Sequence, residues 1–301
     1  MKRLLAFALS VALALSALSA QDSRAVTVSS PNGAPGLALA LLAEQTPGQY
    51  TYVAAETIAA EFINNRVDFI VAPVNVGAKL YKMKKSTYRL AAVVTWGNLY
   101  FASQRKNFTL ADISGADITL FGENTITASV ARFVLAQNKI TARSIGYLAG
   151  AANTQSLLLS DTKAIVLTAE PALTAAALKN RNITAHALND LFKTATGFDG
   201  FAQAGLFVRA KTLQERPQAV RDYLKRAEEA CALCTNDVAR AAKAAVALEL
   251  LSNATVAERA IPNCAIRYVG AREAQSQVEA TARIDLAQFG GAVPADDFYC
   301  R

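Results

Sequence analysis

The sequence predicts an α/β chain of two lobes, each a mainly parallel sheet flanked by helices, joined by two crossing strands. Three observations predict it. From residue 25, apolar strand-like runs alternate with single helices. The alternation pauses at 98–116 and restarts at 117. An extended segment at 201–209 then precedes a largely helical C-terminal stretch. A length of 301 residues suits two domains, at roughly 150 residues each. Apolar residues make up 52% and charged residues 18%. That composition supplies a sizeable core and excludes a disordered chain.

The first lobe opens with a strand at 25–30 (AVTVSS) and a Leu/Ala helix at 36–46, entered through SPNGAPG. A second strand follows at 50–56, and a short helix begins at Thr57 with Ile58, Glu61 and Phe62. VDFIVAP at 67–73 is a continuous apolar run, as a strand buried on both faces requires. A helix at 75–83 and a strand at 89–97 complete the unit. Single helices between strands imply right-handed crossovers and a parallel sheet.

NLYFASQ at 98–104 is extended and reads as the first crossing. After a polar, Gly-punctuated loop at 106–116, strands are expected at 117–122, 142–149, 162–170 and 183–188, with helices at 126–138, 154–159 and 171–179. Pro171 opens the last of these, where a missing N–H is harmless. FAQAGLFVR at 201–209 reads as the return crossing. In the helix at 217–234, Val220, Tyr223, Leu224, Ala227, Cys231 and Cys234 recur at helical spacing. Asn236 or Asp237 caps the next helix, which runs to about Leu251. Residues 265–271 are extended and 272–282 helical. Expected limits are a signal segment at 1–20, one lobe from 25–100 with 206–301, and the other at 101–205.

The N-terminus reads as an export signal. Lys2 and Arg3 precede an apolar run from Leu4 to Leu18, followed by the small Ser19-Ala20 and the polar Gln21-Asp22-Ser23. The alternative is a membrane anchor, for which the run is short. The first Cys is Cys231, so no residue near the cleavage region can carry a lipid. A soluble, exported, unanchored protein is expected, and a periplasm is its simplest container. Losing Lys2 and Arg3 takes the formal charge from +7 to +5. Lys and Arg form no long cluster interleaved with aromatics, which argues against a nucleic-acid partner. All four Cys (Cys231, Cys234, Cys264, Cys300) lie near the C-terminus. In an exported chain an even count favours disulfides. A zinc site or a redox pair at Cys231-x-x-Cys234 are the alternatives.

Ligands of open α/β sheets bind beyond the C-terminal strand ends. In the first lobe those ends carry Ser30, Asn32 and Gly33, then Asn75, then Trp96 and Asn98. In the second they carry Asn124 and Thr125, Asn153 and Thr154, and Glu170. Each has a plainer reading. The Ser/Asn/Gly loop is an ordinary turn or a polar-group cradle. Trp96 stacks on a flat ligand or fills the core. Thr125 and Thr154 bind ligand or cap helices. Glu170 meets an amine or ring N–H, or is a helix-start acid favoured by the dipole. None of these sets holds Lys or Arg, whereas a dianion normally recruits Arg. The expected ligand is therefore neutral, zwitterionic or singly charged. Catalysis has little support. His186 is the only His, and neither G-x-S-x-G nor H-E-x-x-H occurs. No cofactor and no metal are expected, and the chain is expected to be a monomer.

VDFIVAPVNVGAKLYK (67–82), VVTWGNLYFAS (93–103), ADISGADITLFGENT (111–125), LTAEPALTAA (167–176) and FAQAGLFVRAKTLQERPQAVRDYLK (201–225) together resemble the periplasmic substrate-binding proteins of ABC importers. Within them the chain is similar to the nitrate/sulfonate/taurine and thiamine-pyrimidine-precursor group. The resemblance implies the two-lobe periplasmic-binding-protein fold, closure on one small ligand and delivery to an inner-membrane permease. Trp96 with Asn and Glu groups leans towards a heteroaromatic vitamin precursor, and sulfonate-like anions stay open. Two alternatives remain: a ligand-sensing partner of a membrane receptor, and an enzyme making the thiamine pyrimidine on this fold. The enzyme group has His-rich chemistry and a Cys-rich iron motif that this chain lacks.

Overall fold

The computed structural model describes residues 25–301. The expected signal segment lies outside the described residues.

Two mixed sheets organise the chain, and helices cover both. Sheet A has the order β11-β4-β10-β3-β1-β2. Its strands are β1 (Val28–Pro31), β2 (Tyr50–Val53), β3 (Phe69–Pro73), β4 (Tyr88–Thr95), β10 (Ala204–Arg209) and β11 (Ile266–Gly270). Sheet B has the order β7-β6-β8-β5-β9. It comprises β5 (Leu99–Ser103), β6 (Asp117–Phe121), β7 (Ser144–Leu148), β8 (Ile165–Ala169) and β9 (Thr184–Ala187). In sheet A, β1 pairs in parallel with β2 and β3, and β10 runs against both β3 and β4. In sheet B, β6, β7 and β8 run together and β5 opposes β8 and β9. Each sheet thus keeps the parallel set that helical crossovers create, with reversed strands β5 and β10 added where the chain changes lobe and reversed β11 at the edge of sheet A.

The helix expected at 36–46 is two short ones, α1 (Ala34–Ala38) and α2 (Ala40–Gln45), meeting at Leu39. α3 (Ile58–Asn64) and α4 (Val74–Lys82) cross over within the first lobe. The second lobe holds α5 (Ile126–Gln137), α6 (Ala151–Ser160), α7 (Ala172–Lys179) and α8 (Leu188–Thr196). The last five helices are α9 (Ala210–Glu215), α10 (Pro217–Asn236), α11 (Val238–Ala247), α12 (Ala254–Ala260) and α13 (Ala271–Ile284). The α11 cap is Asp237, whose carboxylate accepts from the Arg240 N–H.

One apolar layer packs α1, α2, α10 and α11 on one face of sheet A, through Leu37, Leu41, Tyr223 and Ala245. The other face carries Phe62, Leu90 and Phe207. That second layer continues through Trp96, Leu99 and Phe201 into Phe101, Leu120 and Val130 of the other lobe. The lobes therefore share a continuous core at their junction. Near the far end of sheet A, Asp68 is almost fully buried and accepts from Thr27, Thr212 and Arg209. Arg216, also buried, lies 3.5 Å from it. Burial opposes ionisation of Asp68, but the hydrogen bonds from Thr212 and Thr27 and the Arg209 charge outweigh it. The carboxyl is held below its ordinary range.

Two expectations are corrected. The segment 201–209 is not a crossing strand along its length. Its β10 portion inserts between β3 and β4 in the middle of sheet A, where its apolar side chains are buried and both backbone edges are hydrogen-bonded. The segment 98–104 likewise supplies β5, between β8 and β9 of sheet B. The cysteines form no disulfide: Cys231, Cys234, Cys264 and Cys300 are free thiols. Cys231 and Cys234 are three apart on α10. Cβ atoms at that spacing lie about 5–6 Å apart, beyond the ~3.5–4.5 Å a disulfide needs. The C-terminal tail is instead tied down by backbone, with Cys300 N–H donating to Leu90 O at 2.8 Å and Tyr299 bridging Leu90.

Candidate ligand-binding cleft

The chain passes between sheets twice, at 96–98 and at 197–203, and the two passages lie side by side. Gln203 Nε2 donates to Asn98 Oδ1 (2.7 Å), and Asn98 N–H donates to Gln203 Oε1 (3.3 Å). Asn98 Nδ2 donates to Glu170 O (2.7 Å), and Glu170 N–H returns a bond to Asn98 O (3.0 Å). Asn189 Nδ2 reaches both Trp96 O (2.9 Å) and Gly97 O (2.8 Å). Backbones this close need glycine. Gly97 has φ 91° and Gly200 φ 101°. A Cβ on Gly200 would stand 2.1 Å from Trp96 O. Two short, tightly bonded passages are thus the only links between the sheets among the described residues. That arrangement would confine φ/ψ changes to a few hinge residues if the lobes move, and we call the two passages the hinge.

Next to this hinge is a cavity of 360 Å³ at the C-terminal ends of β1, β7 and β8. Gly33, after β1, lines it from the first lobe. Ala151 and Gln155 of α6 line it from the second, with Glu170, Pro171, Ala172 and Ala175 from the β8–α7 turn. Leu251, Ser252, Asn253 and Val256 close the remaining side. Asn253 Oδ1 caps α12 by accepting from Thr255 and Val256 N–H groups. Gln155 Nε2 donates to Ala172 O (2.9 Å), fixing α6 against α7.

Glu170 is the one charged residue in this wall. It is buried, and its carboxylate accepts from Thr174 N–H (3.0 Å) and Thr174 O–H (2.8 Å). Burial pushes its pKa up, against those two bonds. Glu170 also borders a second cavity of 280 Å³, with Tyr100, Thr174 and Asn263. Tyr100 O–H donates to Asn263 O (2.8 Å) across the lobes there. No Lys or Arg lines either cavity. A multiply charged anion would meet no counter-ion in this cleft.

The structure places the expected site residues unequally. Gly33 and Glu170 stand in the cavity wall. Asn32 and Asn153 are exposed beside it, and Asn153 Oδ1 accepts from Gly150 N–H (3.2 Å). Ser30 and Thr154 are buried, bonded to Pro31 O (3.2 Å) and Ala151 O (3.0 Å). Thr154 lies inside α6, which starts at Ala151. Asn75 is buried near the start of α4, and its Oδ1 has no partner. Asn124 and Thr125 are exposed outside the cavity; Thr125 O–H bonds Gly122 O (2.7 Å) rather than capping α5. Trp96 is 2% exposed. Its Nε1–H donates to Arg267 O (2.8 Å), and the Arg267 guanidinium covers its ring at 4.8 Å. That is the core reading of Trp96, and Asn98 is likewise spent on the hinge. His186 Nε2 bonds Phe108 O (2.9 Å) and packs on that ring. The wall segment 251–256 was missed, since it comes from no strand end. Its one signal is the cap sequence Asn253-Ala254-Thr255. Among the described residues, no cluster of His, Cys, Asp or Glu could hold a metal.

No protein-family model and no curated protein matches the sequence. Solved structures match the fold. An ABC transporter structure from Parabacteroides distasonis gives a TM-score of 0.79 at 22% identity, covering 92% of this chain and 98% of that one. The ligand-binding component of an ABC-type import system from Staphylococcus aureus, with zinc bound, gives 0.69 at 12%, covering 92% and 96%. The alkanesulfonate-binding protein SsuA from Xanthomonas axonopodis pv. citri, bound to MOPS, gives 0.63 at 17%, covering 90% and 94%. Two sheets, two adjoining passages between them and this likeness over 87–92% of the chain agree: the chain has the two-lobe α/β fold of the periplasmic binding proteins of ABC import systems.

Proposed function

We propose that this chain is the exported, periplasmic solute-binding component of an ABC import system. Its lobes close on one small organic molecule, which is then delivered to an inner-membrane permease. The observation that carries this reading is the 360 Å³ cavity where strand ends of both lobes meet beside the hinge. Its size fits a small ligand, within the usual range of about 300–1,000 Å³. The structural neighbours that carry zinc or a sulfonate buffer support binding and import as the common task, and their variety says that the fold alone does not choose the ligand. The cation-free wall chooses further. It favours a neutral, zwitterionic or monoanionic ligand, with Glu170 facing an N–H or amine. Heteroaromatic vitamin precursors and sulfonate-like monoanions are the classes to try first. Closure is driven by higher ligand affinity for the closed state. No described helix is long and apolar enough to cross a membrane. Our reading further takes the chain as a periplasmic monomer that carries no lipid and catalyses no reaction. The expected limits at 100/101 and 205/206 cut through β5 and β10, so we propose that the lobes divide at the two passages instead, 96–98 and 197–203.

The test is a thermal-shift screen of vitamins, nucleobases, sulfonates and amino acids on the wild type and on Ala175→Trp, which fills the cavity. A ligand that raises the wild-type Tm and not that of the variant supports the reading. A ligand that shifts both equally binds elsewhere and refutes this cleft as the site.

A further inference from the structure

A cavity of 530 Å³, larger than either cleft cavity, lies in the first lobe at the opposite end of β4 from the hinge. Three elements build it. The end of α4 gives Ala78, Tyr81 and Lys82, and the following turn and β4 give Lys84, Ser86 and Arg89. The C-terminal tail gives an apolar wall of Phe289, Val293, Pro294 and Phe298. The tail is fixed in place: Arg272 pairs with Asp296, and Cys300 N–H bonds Leu90 O (2.8 Å). The site is thus formed before a ligand arrives, which removes an ordering cost from binding.

Its electrostatics are the reverse of the cleft's. Lys82, Lys84 and Arg89 line it against a single acid, Asp297. That carboxylate already accepts from Tyr81 O–H (2.9 Å). Arg89 Nε is buried and has no hydrogen-bond partner. Excess positive charge over an apolar wall selects a ligand with one anionic end and a hydrophobic body. We propose that this cavity is a second ligand site. It takes an organic monoanion whose apolar body packs on the tail and whose carboxylate or sulfonate meets Lys82, Lys84 and Arg89. It shares no lining residue with the cleft, so it stands or falls independently of the import reading.

The test is a fluorescence titration of the whole chain with 8-anilinonaphthalene-1-sulfonate and with N-phenyl-1-naphthylamine, which has the same rings and no charge. The expected result is one tight sulfonate probe per chain, with the uncharged probe at least tenfold weaker. Lys82→Glu with Lys84→Glu, both at exposed positions, weakens the sulfonate probe at least tenfold. Ala292→Trp, which fills the cavity, does the same. Ala175→Trp in the cleft leaves this binding unchanged. Thermal melts confirm that each variant is folded. The proposal is overturned if the wild type does not bind the sulfonate probe, or if both probes bind equally. It is also overturned if binding survives the Lys82/Lys84 reversal or the Ala292 substitution, or is lost in Ala175→Trp.

Discussion

Asn98→Ala separates a hinge residue from a ligand residue. Asn98 is 4% exposed. Its side chain gives one bond to Glu170 O at 2.7 Å and takes one from Gln203 Nε2 at 2.7 Å. Alanine leaves the Glu170 carbonyl buried without that donor, at a cost of about 1–3 kcal/mol. Gln203 is half-buried, so water recovers part of its loss. The total is about 2–4 kcal/mol. In a chain this long that lowers Tm by roughly 3–7 °C. Asn98→Asp keeps the acceptor for Gln203, loses the donor to Glu170 and buries a charge, so it costs more than alanine. The assay is urea unfolding of both variants beside the wild type, with ligand affinity measured in parallel. Unfolding within about 0.5 kcal/mol of wild type, together with a loss of affinity, would refute the hinge assignment and restore Asn98 as a ligand group.

Two carboxyls predict opposite pH dependences. Asp68 titrates below its unfolded value, so its stabilisation is present above the unfolded pKa and fades as pH falls through the lowered folded one. Asp68→Asn flattens the acid limb of stability against pH, and by removing the carboxylate that Arg209 and Arg216 face it costs about 3–5 kcal/mol at neutral pH. Glu170 titrates above its unfolded value. The folded state then holds the proton longer, and stability falls as pH rises from the unfolded to the folded pKa. Glu170→Gln removes that decline in pH-dependent melts; an unchanged slope would place Glu170 in contact with water. Gly200→Ala, with φ 101° and a Cβ 2.1 Å from Trp96 O, loses more stability than Gly48→Ala, at φ 80° with nothing within 4 Å. The backbone alone costs about 1–3 kcal/mol at such positions. Equal melting of the two variants would contradict the close packing of the hinge.

The strand–helix alternation was legible because it rests on local pattern. β3, a continuous apolar run, and α4 behind it stand within about two residues of their expected limits. β10 was misplaced because AGLFVR reads alike whether it bridges lobes or fills the middle of a sheet; pairing is a long-range choice. α8 and α12 were missed, the second being only seven residues with a weak apolar face. The site shows the same limit. Gly33 and Glu170 follow from the strand-end rule, whereas Leu251 to Val256 reach the cavity only through the packing of α12 on α7. Strand-end position says that Trp96 and Asn98 lie near the cleft. It does not say which way their side chains point: Trp96 is buried in the core against Arg267, and Asn98 holds the hinge.

The central claim is that the cleft beside the hinge holds one small molecule. Native mass spectrometry of the protein exported to a periplasm, compared with Ala175→Trp prepared identically, tests it directly. The account predicts one small molecule per wild-type chain, released on denaturation with a mass set by its class, and an empty variant. The same molecule carried by the filled variant would contradict it.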